Sequence, residues 1–261
     1  MNSIRFLYAY ARYYFRASTK HDIHSPFVFE LLTRVIEHPE KNAGFIPIED
    51  LRKRLLYSKE EIEVTDLGAG SFQHKGVKRK VSDIARYSAK SAKYGQLLYR
   101  LSRHFHPSQI LELGTSLGIS TLYLSLGNED ATITTIEGCP EIAALAKKHF
   151  SSINNNIIKV ITGDFGKVLP AYLQKNNRLD LVFFDGNHRR EPTLEYFRLC
   201  LEKANADSLF IFDDIHWSEE MEEAWAEIKN HPDVTVTIDL FFIGLVFFRK
   251  GQEKQHFTLR F

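Results

Sequence analysis

Apolar residues recur along the chain with two rhythms, and the change falls near residue 88. Before it the spacing is helical. "IRFLYAYARYYFR", residues 4–16, predicts a helix rich in Tyr and Phe. Its apolar side chains gather on no single clean face, which favours packing against the chain or a second subunit over lying on a membrane. "HSPFVFELLTRVIEHP" predicts a second helix. Ser25 can cap it, Pro26 suits its first position, and Phe27, Val28, Leu31, Leu32, Val35 and Ile36 recur at helical intervals. A third helix is predicted over 48–57.

From Ser88 the pattern changes. "SAKSAKYGQLLYRLSRHF" is helical as far as Pro107. Short apolar runs then alternate with helical segments. Strands are expected in "QILEL", "TITTIE", "IIKVITGD", "LDLVFFDG" and "SLFIFDD", and helices over 118–126, 140–150, 166–174, 191–203 and 218–230. Strands apolar on both faces, each followed by a helix, predict a parallel sheet covered on both sides. "VTVTIDLFFIGLVFFRK" reads as two strands joined near Asp239–Phe242 with no helix between them, so the last pair is antiparallel. The expected fold class is α/β, a doubly wound seven-stranded sheet, mostly parallel with an antiparallel C-terminal strand, after a helical N-terminal segment.

Composition narrows the function classes. The 261 residues are 44% hydrophobic and 26% charged, enough to bury a core. Lys+Arg 34 against Asp+Glu 33 gives +1, so no global field draws nucleic acid or an anionic membrane. Cys139 and Cys200 have no metal or CxxC spacing and suit a reducing compartment. The N-terminus, with Arg5, Arg12 and Arg16 among its aromatics, does not read as a signal peptide, and a cytoplasmic protein is expected.

Two glycine stretches compete for a ligand. "EVTDLGAGSF" follows alternating Glu61, Ile62, Glu63 and Val64, which is no central strand, and precedes the basic "QHKGVKRKVSD", which has no apolar stripe. "ILELGTSLGIST" has a strand before it and, in Ile119, Leu122, Tyr123 and Leu126, a helix face after it. A loop between a strand and a helix N-terminus offers free N–H groups to a ligand, so the second stretch is the candidate. Gly114 and Gly118 enclose Thr115, Ser116 and Leu117, a spacing poor for pyrophosphate. Each predicted strand also carries or ends on an acid: Glu112, Glu137, Asp164, Asp185 and the pair Asp213–Asp214. Carboxylates at strand ends repel phosphate and suit hydroxyls, amines and cations. Glu137 stands at the interval after Gly114 expected of an acid on a ribose.

On these residues, about 88–250 resembles class I S-adenosylmethionine-dependent methyltransferases of Rossmann-like fold, and among them the small O-methyltransferases related to catechol O-methyltransferase. "LELGTSLGIST" resembles the first motif of that group, "TTIEGCPE" the second, "ITGDF" the third, and "LVFFDGNH" and "LFIFDDIHW" the fourth and fifth. The resemblance implies S-adenosylmethionine as cofactor. It would be held by Glu112, Gly114, Thr115, Ser116, Gly118, Ser120, Glu137 on the ribose, Gly138, Gly163, Asp164 and Phe165 beside the adenine, and Asp185. It further implies Mg²⁺ or Ca²⁺ on Asp185, Asp213 and Asp214, where Asp214 replaces the family's Asn. His188, three residues after Asp185, falls where the family has its catalytic lysine; a histidine can act as base near neutral pH, and Asp185 is expected to serve catalysis with it.

Simpler accounts stand beside these. Asp185 and Asp213 can orient loops, and His188 can be an exposed loop histidine. His216 and Trp217 either wall an acceptor site or pack as the next helix begins. The Asp66–Lys80 stretch, with Gly68, Gly70, Gly76 and its lysines, is read as a lid on the acceptor side in preference to a plain surface loop. The expected organisation is 1–87 as helical extension and lid, 88–250 as the methyltransferase domain and 251–261 as a C-terminal tail. The partner is a small-molecule acceptor, with no nucleic acid and no membrane, and a homodimer is left open. N-methyl transfer on the same fold, a non-catalytic S-adenosylmethionine-binding module and an NAD-dependent oxidoreductase are the rivals; the missing GxGxxG disfavours the last.

Overall fold

The structure, a computed structural model, describes residues 3–65, 77–153 and 157–261. It forms two compact units, Met1–His38 with Leu169–Phe261, and Pro39–Val168.

The first unit holds both described ends of the chain. Helix α1 (Ser3–Arg16) is followed by α2 (Pro26–Leu31), which runs on as a π-helical turn over Leu32–Ile36. Ser25 caps α2 by accepting from the Val28 amide, and Pro26 begins it, as the sequence predicts. Strands β6 (Leu181–Phe184) and β7 (Leu209–Asp213) pair in parallel, and β7 pairs antiparallel with β9 (Ile243–Phe247). β8 (Val236–Asp239) lies antiparallel on the other side of β9. Helices α9 (Arg190–Leu201) and α10 (Glu219–Asn230) follow β6 and β7. β6, β7, β8 and β9 are buried along their whole length, which is why β6, β7 and β9 carry no polar alternation, while β8 places Thr237 and Asp239 among buried neighbours.

One reading of this unit changes and another is narrowed. The stretch 251–261, expected as a tail, contains β10 (Gln255–Thr258), which pairs in parallel with β8. Its polar sequence hides it: an edge strand half open to solvent needs no continuous apolar run. Helix α1 packs on its own chain, with Ala9 and Tyr13, then Ala17 just beyond it, buried against Phe241. Leu7, Tyr8 and Phe15 remain exposed on its outer side. No helix among the described residues is long and apolar enough to cross a membrane.

The second unit carries α3 (Phe45–Leu56), the antiparallel pair β1 (Glu61–Val64) and β2 (Val77–Lys80), α4 (Val81–Ser88) and α5 (Ala92–Phe105). A parallel run β3 (Gln109–Leu113), β4 (Thr132–Glu137), β5 (Ile158–Thr162) follows. α6 (Ile119–Gly127) and α7 (Pro140–Ser152) connect its strands, and α8 (Phe165–Lys175) begins after β5. The basic stretch 77–80, expected in a loop, is strand, and 81–88 is a helix whose apolar stripe is only Val81, Ile84 and Ala85. Three residues at helical spacing bury one short face, too little to stand out beside the lysines. Residues 66–76 of the expected lid lie outside the described residues.

Parallel strands with intervening helices and an antiparallel β9 make the fold α/β with a mixed, mostly parallel sheet, as the apolar pattern predicts.

Candidate functional site

In the second unit the site begins beneath the glycine loop. Glu112 is wholly buried on β3, where register places Thr135 of β4 opposite it. Its carboxylate accepts from Ser120 Oγ at 2.7 Å, Thr121 Oγ1 at 2.5 Å and Thr135 Oγ1 at 2.7 Å. Burial pushes its pKa up to about 7, against the pull of these three hydroxyls. Because the Thr135 proton is committed to Glu112, the 2.6 Å contact between Thr115 Oγ1 and Thr135 Oγ1 has Thr115 as donor. The hydroxyls of Thr115 and Ser120 thus point their protons inward and keep only lone pairs for a ligand.

Glycine shapes the loop above. Gly114 continues the ladder by donating to the Ile136 carbonyl, with φ 105°. Gly118, at φ 85°, enters α6, and a Cβ there would stand 2.5 Å from the Phe150 ring. Helix α7 backs the loop a second time, through His149 Nδ1 donating to the Leu117 carbonyl at 2.9 Å. Ser116 takes a left-handed φ of 46°, and its buried Oγ has no hydrogen-bond partner in this structure.

Glu137 closes β4 beside the loop. One carboxylate oxygen accepts from the Ser116 amide and the other from the Cys139 amide, both at 2.9 Å, and burial raises its pKa. Both oxygens retain lone pairs, so the carboxylate is fixed in place and still able to accept from a ligand. Gly163, φ 152°, donates to the Glu137 carbonyl. Asp164 caps α8 through the Lys167 amide, and Phe165 is the first residue of that helix. The structure therefore gathers Gly114, Thr115, Ser116, Gly118, Glu137 and Gly138 around one loop. It places Glu112 and Ser120 underneath as support. Thr121, Thr135 and His149 belong to the same assembly. Register could have revealed Thr135, since a polar residue inside "TITTIE" must face something polar.

In the first unit the acids form a second cluster. Asp185 follows β6, Asp213 ends β7 and is buried, and one ligand-type atom each from Asp185, His188 and Asp213 all lie within 4.8 Å of one another. His188 Nε2 stands 3.9 Å from Asp185 Oδ1. Asp214 is absent from that compact set. Its φ is 53°, and its amide donates to the Phe242 carbonyl at 2.6 Å. Asn187, between Asp185 and His188, is also left-handed at φ 54°.

His216 and Trp217 differ in their surroundings. His216 is tied to Glu222 Oε1 at 3.1 Å and to Asp239 Oδ2 at 2.8 Å and stacks on Phe241, so it is held within the fold. Burial would lower its pKa, but the two carboxylates prevail and raise it. Trp217 is 45% exposed and therefore is not packed where the next helix begins.

Comparison with known proteins finds methyltransferases. Residues 111–215 match the family model described as "Methyltransferase domain". A catechol O-methyltransferase of Niastella koreensis is 27% identical over 128 residues, 48% of this chain and 57% of that protein. Its namesake in Mycobacterium tuberculosis is 26% identical over 129 residues, 49% and 57%. The chain thus spans little more than half the length of these curated relatives in the matched region. Among solved structures, an SAH-bound methyltransferase of Podospora anserina superposes with TM-score 0.60 at 16% identity, covering 87% of this chain and 98% of that one. An O-methyltransferase of Bacillus cereus in complex with SAH gives 0.57 at 17%, covering 85% and 97%. The fold is that of Rossmann-like methyltransferases. Over the matched region the chain is similar to methyltransferases, catechol O-methyltransferases among them.

Proposed function

We propose that the chain transfers a methyl group from S-adenosylmethionine to an oxygen of a small-molecule acceptor. The observation that carries this reading is the extent of the methyltransferase-domain match, which runs from Leu111 on β3 past Asp213 at the end of β7 and so contains both clusters. In this reading Glu137 accepts from the ribose hydroxyls. Gly114, Thr115, Ser116 and Gly118 hold the methionine half, where the lone pairs of Thr115 and Ser120 suit an ammonium. Gly138, Gly163, Asp164 and Phe165 border the adenine.

The donor supplies a sulfonium whose S–CH₃ bond breaks as the acceptor oxygen bonds to carbon. The acceptor proton then needs a base. His188 takes it at Nε2, and Asp185, 3.9 Å away, stabilises the imidazolium. The names of the curated relatives support a phenolic or catechol-type acceptor. The test is transfer of labelled methyl from S-adenosylmethionine to 3,4-dihydroxybenzoate, with an arylamine as the nitrogen acceptor. Label on the diol supports the reading; label on the amine alone replaces it with N-methylation.

The grouping of donor atoms favours a second reading of the acid cluster. Asp185, His188 and Asp213 offer two carboxylates and an imidazole, a set that suits a first-row divalent ion such as Mn²⁺ better than Ca²⁺. Asp214, implied as a ligand by the family resemblance, would be a further oxygen donor. One imidazole nitrogen cannot both ligate an ion and accept the proton. EDTA treatment decides: transfer undiminished after chelation leaves His188 as base, and transfer lost and restored by Mn²⁺ makes it a ligand.

A further inference from the structure

We propose that α1 is a positioning element for the Asp213–Asp214 end of β7, acting through the turn at Leu240–Phe242. The proposal rests on the second reading above, in which Asp213 and Asp214 are donors to a divalent ion.

The turn is an unusual anchor. Phe241 is buried in a left-handed conformation, φ 69°, which a bulky side chain adopts only when its surroundings enforce it. Two sets of contacts do so. Its amide donates to Asp239 Oδ1 at 2.8 Å. Its ring meets Phe6 at 5.3 Å, Tyr10 at 5.0 Å and Tyr13 at 5.2 Å, all from α1, with His216 stacked against it at 5.1 Å.

The next residue carries the constraint to the acids. The Phe242 carbonyl accepts from the Asp214 amide at 2.6 Å, and Asp214 is itself left-handed, so one short hydrogen bond ties a strained residue to the immediate neighbour of another, Phe241. Phe6 also packs on the Phe242 ring at 5.9 Å. An ionic chain ties the same helix down: Arg5 and Arg12 reach Glu222, which holds His216, which holds Asp239. Hydrophobic packing alone would need no strained corner. The strain is sustained where α1 covers the turn, and its effect is to set the direction in which β7 leaves Asp213.

The test is residue-resolved amide exchange on the whole chain, wild type against Phe6→Ala, Phe6→Leu and the surface pair Arg5→Ala/Arg12→Ala. Exchange at Asp214 should rise at least tenfold in Phe6→Ala while Phe212, inside β7, keeps its protection, and Phe6→Leu should recover most of the loss. The arginine pair should raise Asp214 exchange severalfold, and this variant serves if Phe6→Ala does not fold. In methyl transfer to 3,4-dihydroxybenzoate, kcat should fall with KM for S-adenosylmethionine unchanged. Exchange at Asp214 equal to wild type, or Asp214 and Phe212 losing protection together, overturns the proposal. Absence of transfer in every protein, wild type included, counts against the methyltransferase reading and leaves the exchange result to judge α1.

Discussion

The glycine loop of the second unit and the acid corner of the first both rest on left-handed backbone, but they reach it with different residues. Around the loop the positive angles fall on Gly114, Gly118 and Gly163, with Ser116 alone of the non-glycines. At the acid corner they fall on Asn187, Asp214 and Phe241, none of them glycine. Glycine takes such angles at no steric cost, so at Gly114, Gly118 and Gly163 the loop needs no enforced strain. The corner must be held by its surroundings: the Phe242 carbonyl on Asp214, and the packing of α1 on Phe241. One region is relaxed and built on a buried carboxylate network. The other is strained and built on tertiary contacts.

The largest effect expected from that contrast is at Gly118. Gly118→Ala places a Cβ at φ 85° and 2.5 Å from Phe150, so strain and overpacking add. The cost should be about 2–4 kcal/mol in denaturant unfolding. A midpoint unchanged from wild type would break the claim that the loop depends on glycine.

Next comes the carboxylate beneath the loop. The pKa of Glu112 is raised to about 7 in the folded protein, so the folded state binds the extra proton. Its contribution is fully present below the ordinary glutamate range and is lost as pH rises through about 7, a decline of roughly 3 kcal/mol. Stability measured from pH 4 to 8 in wild type and Glu112→Gln should show that decline in the first protein and not in the second. Parallel curves would mean that the site is less desolvated than it looks.

The smallest effect sharpens the comparison from the other side. Asp214→Gly relieves a left-handed residue but adds chain entropy to the unfolded state, so stability should shift by less than about 1 kcal/mol. Methyl transfer should nevertheless fall, because a relaxed corner no longer directs β7. A loss of several kcal/mol would show that Asp214 is not strained.

The same contrast explains what could be read from the sequence. Gly114, Gly118 and the acids at strand ends announce themselves, because residue type and spacing carry the chemistry. The strand–helix alternation from Gln109 onward was equally plain, since strands buried on both faces leave unbroken apolar runs. What stayed hidden depends on tertiary neighbours. Phe241 in "DLFFIG" reads as one more apolar residue, and nothing in its type reveals a positive φ. The ion pairs of His216 were not legible because its partners Glu222 and Asp239 come from α10 and β8. α4 and β10 were missed for a different reason: each buries only a few side chains, and charged or polar neighbours mask so short a pattern.

The account turns on the second unit binding the methyl donor through Glu137, with His188 serving the acceptor. Calorimetric titration of S-adenosylhomocysteine into wild type, Glu137→Ala and His188→Gln tests this most directly. Loss of a charge-assisted hydrogen bond to ribose hydroxyls should weaken binding ten- to hundredfold in Glu137→Ala, about 1.5–3 kcal/mol, while His188→Gln stays within about threefold of wild type. Undiminished affinity in Glu137→Ala, or a greater loss in His188→Gln than in Glu137→Ala, would contradict it.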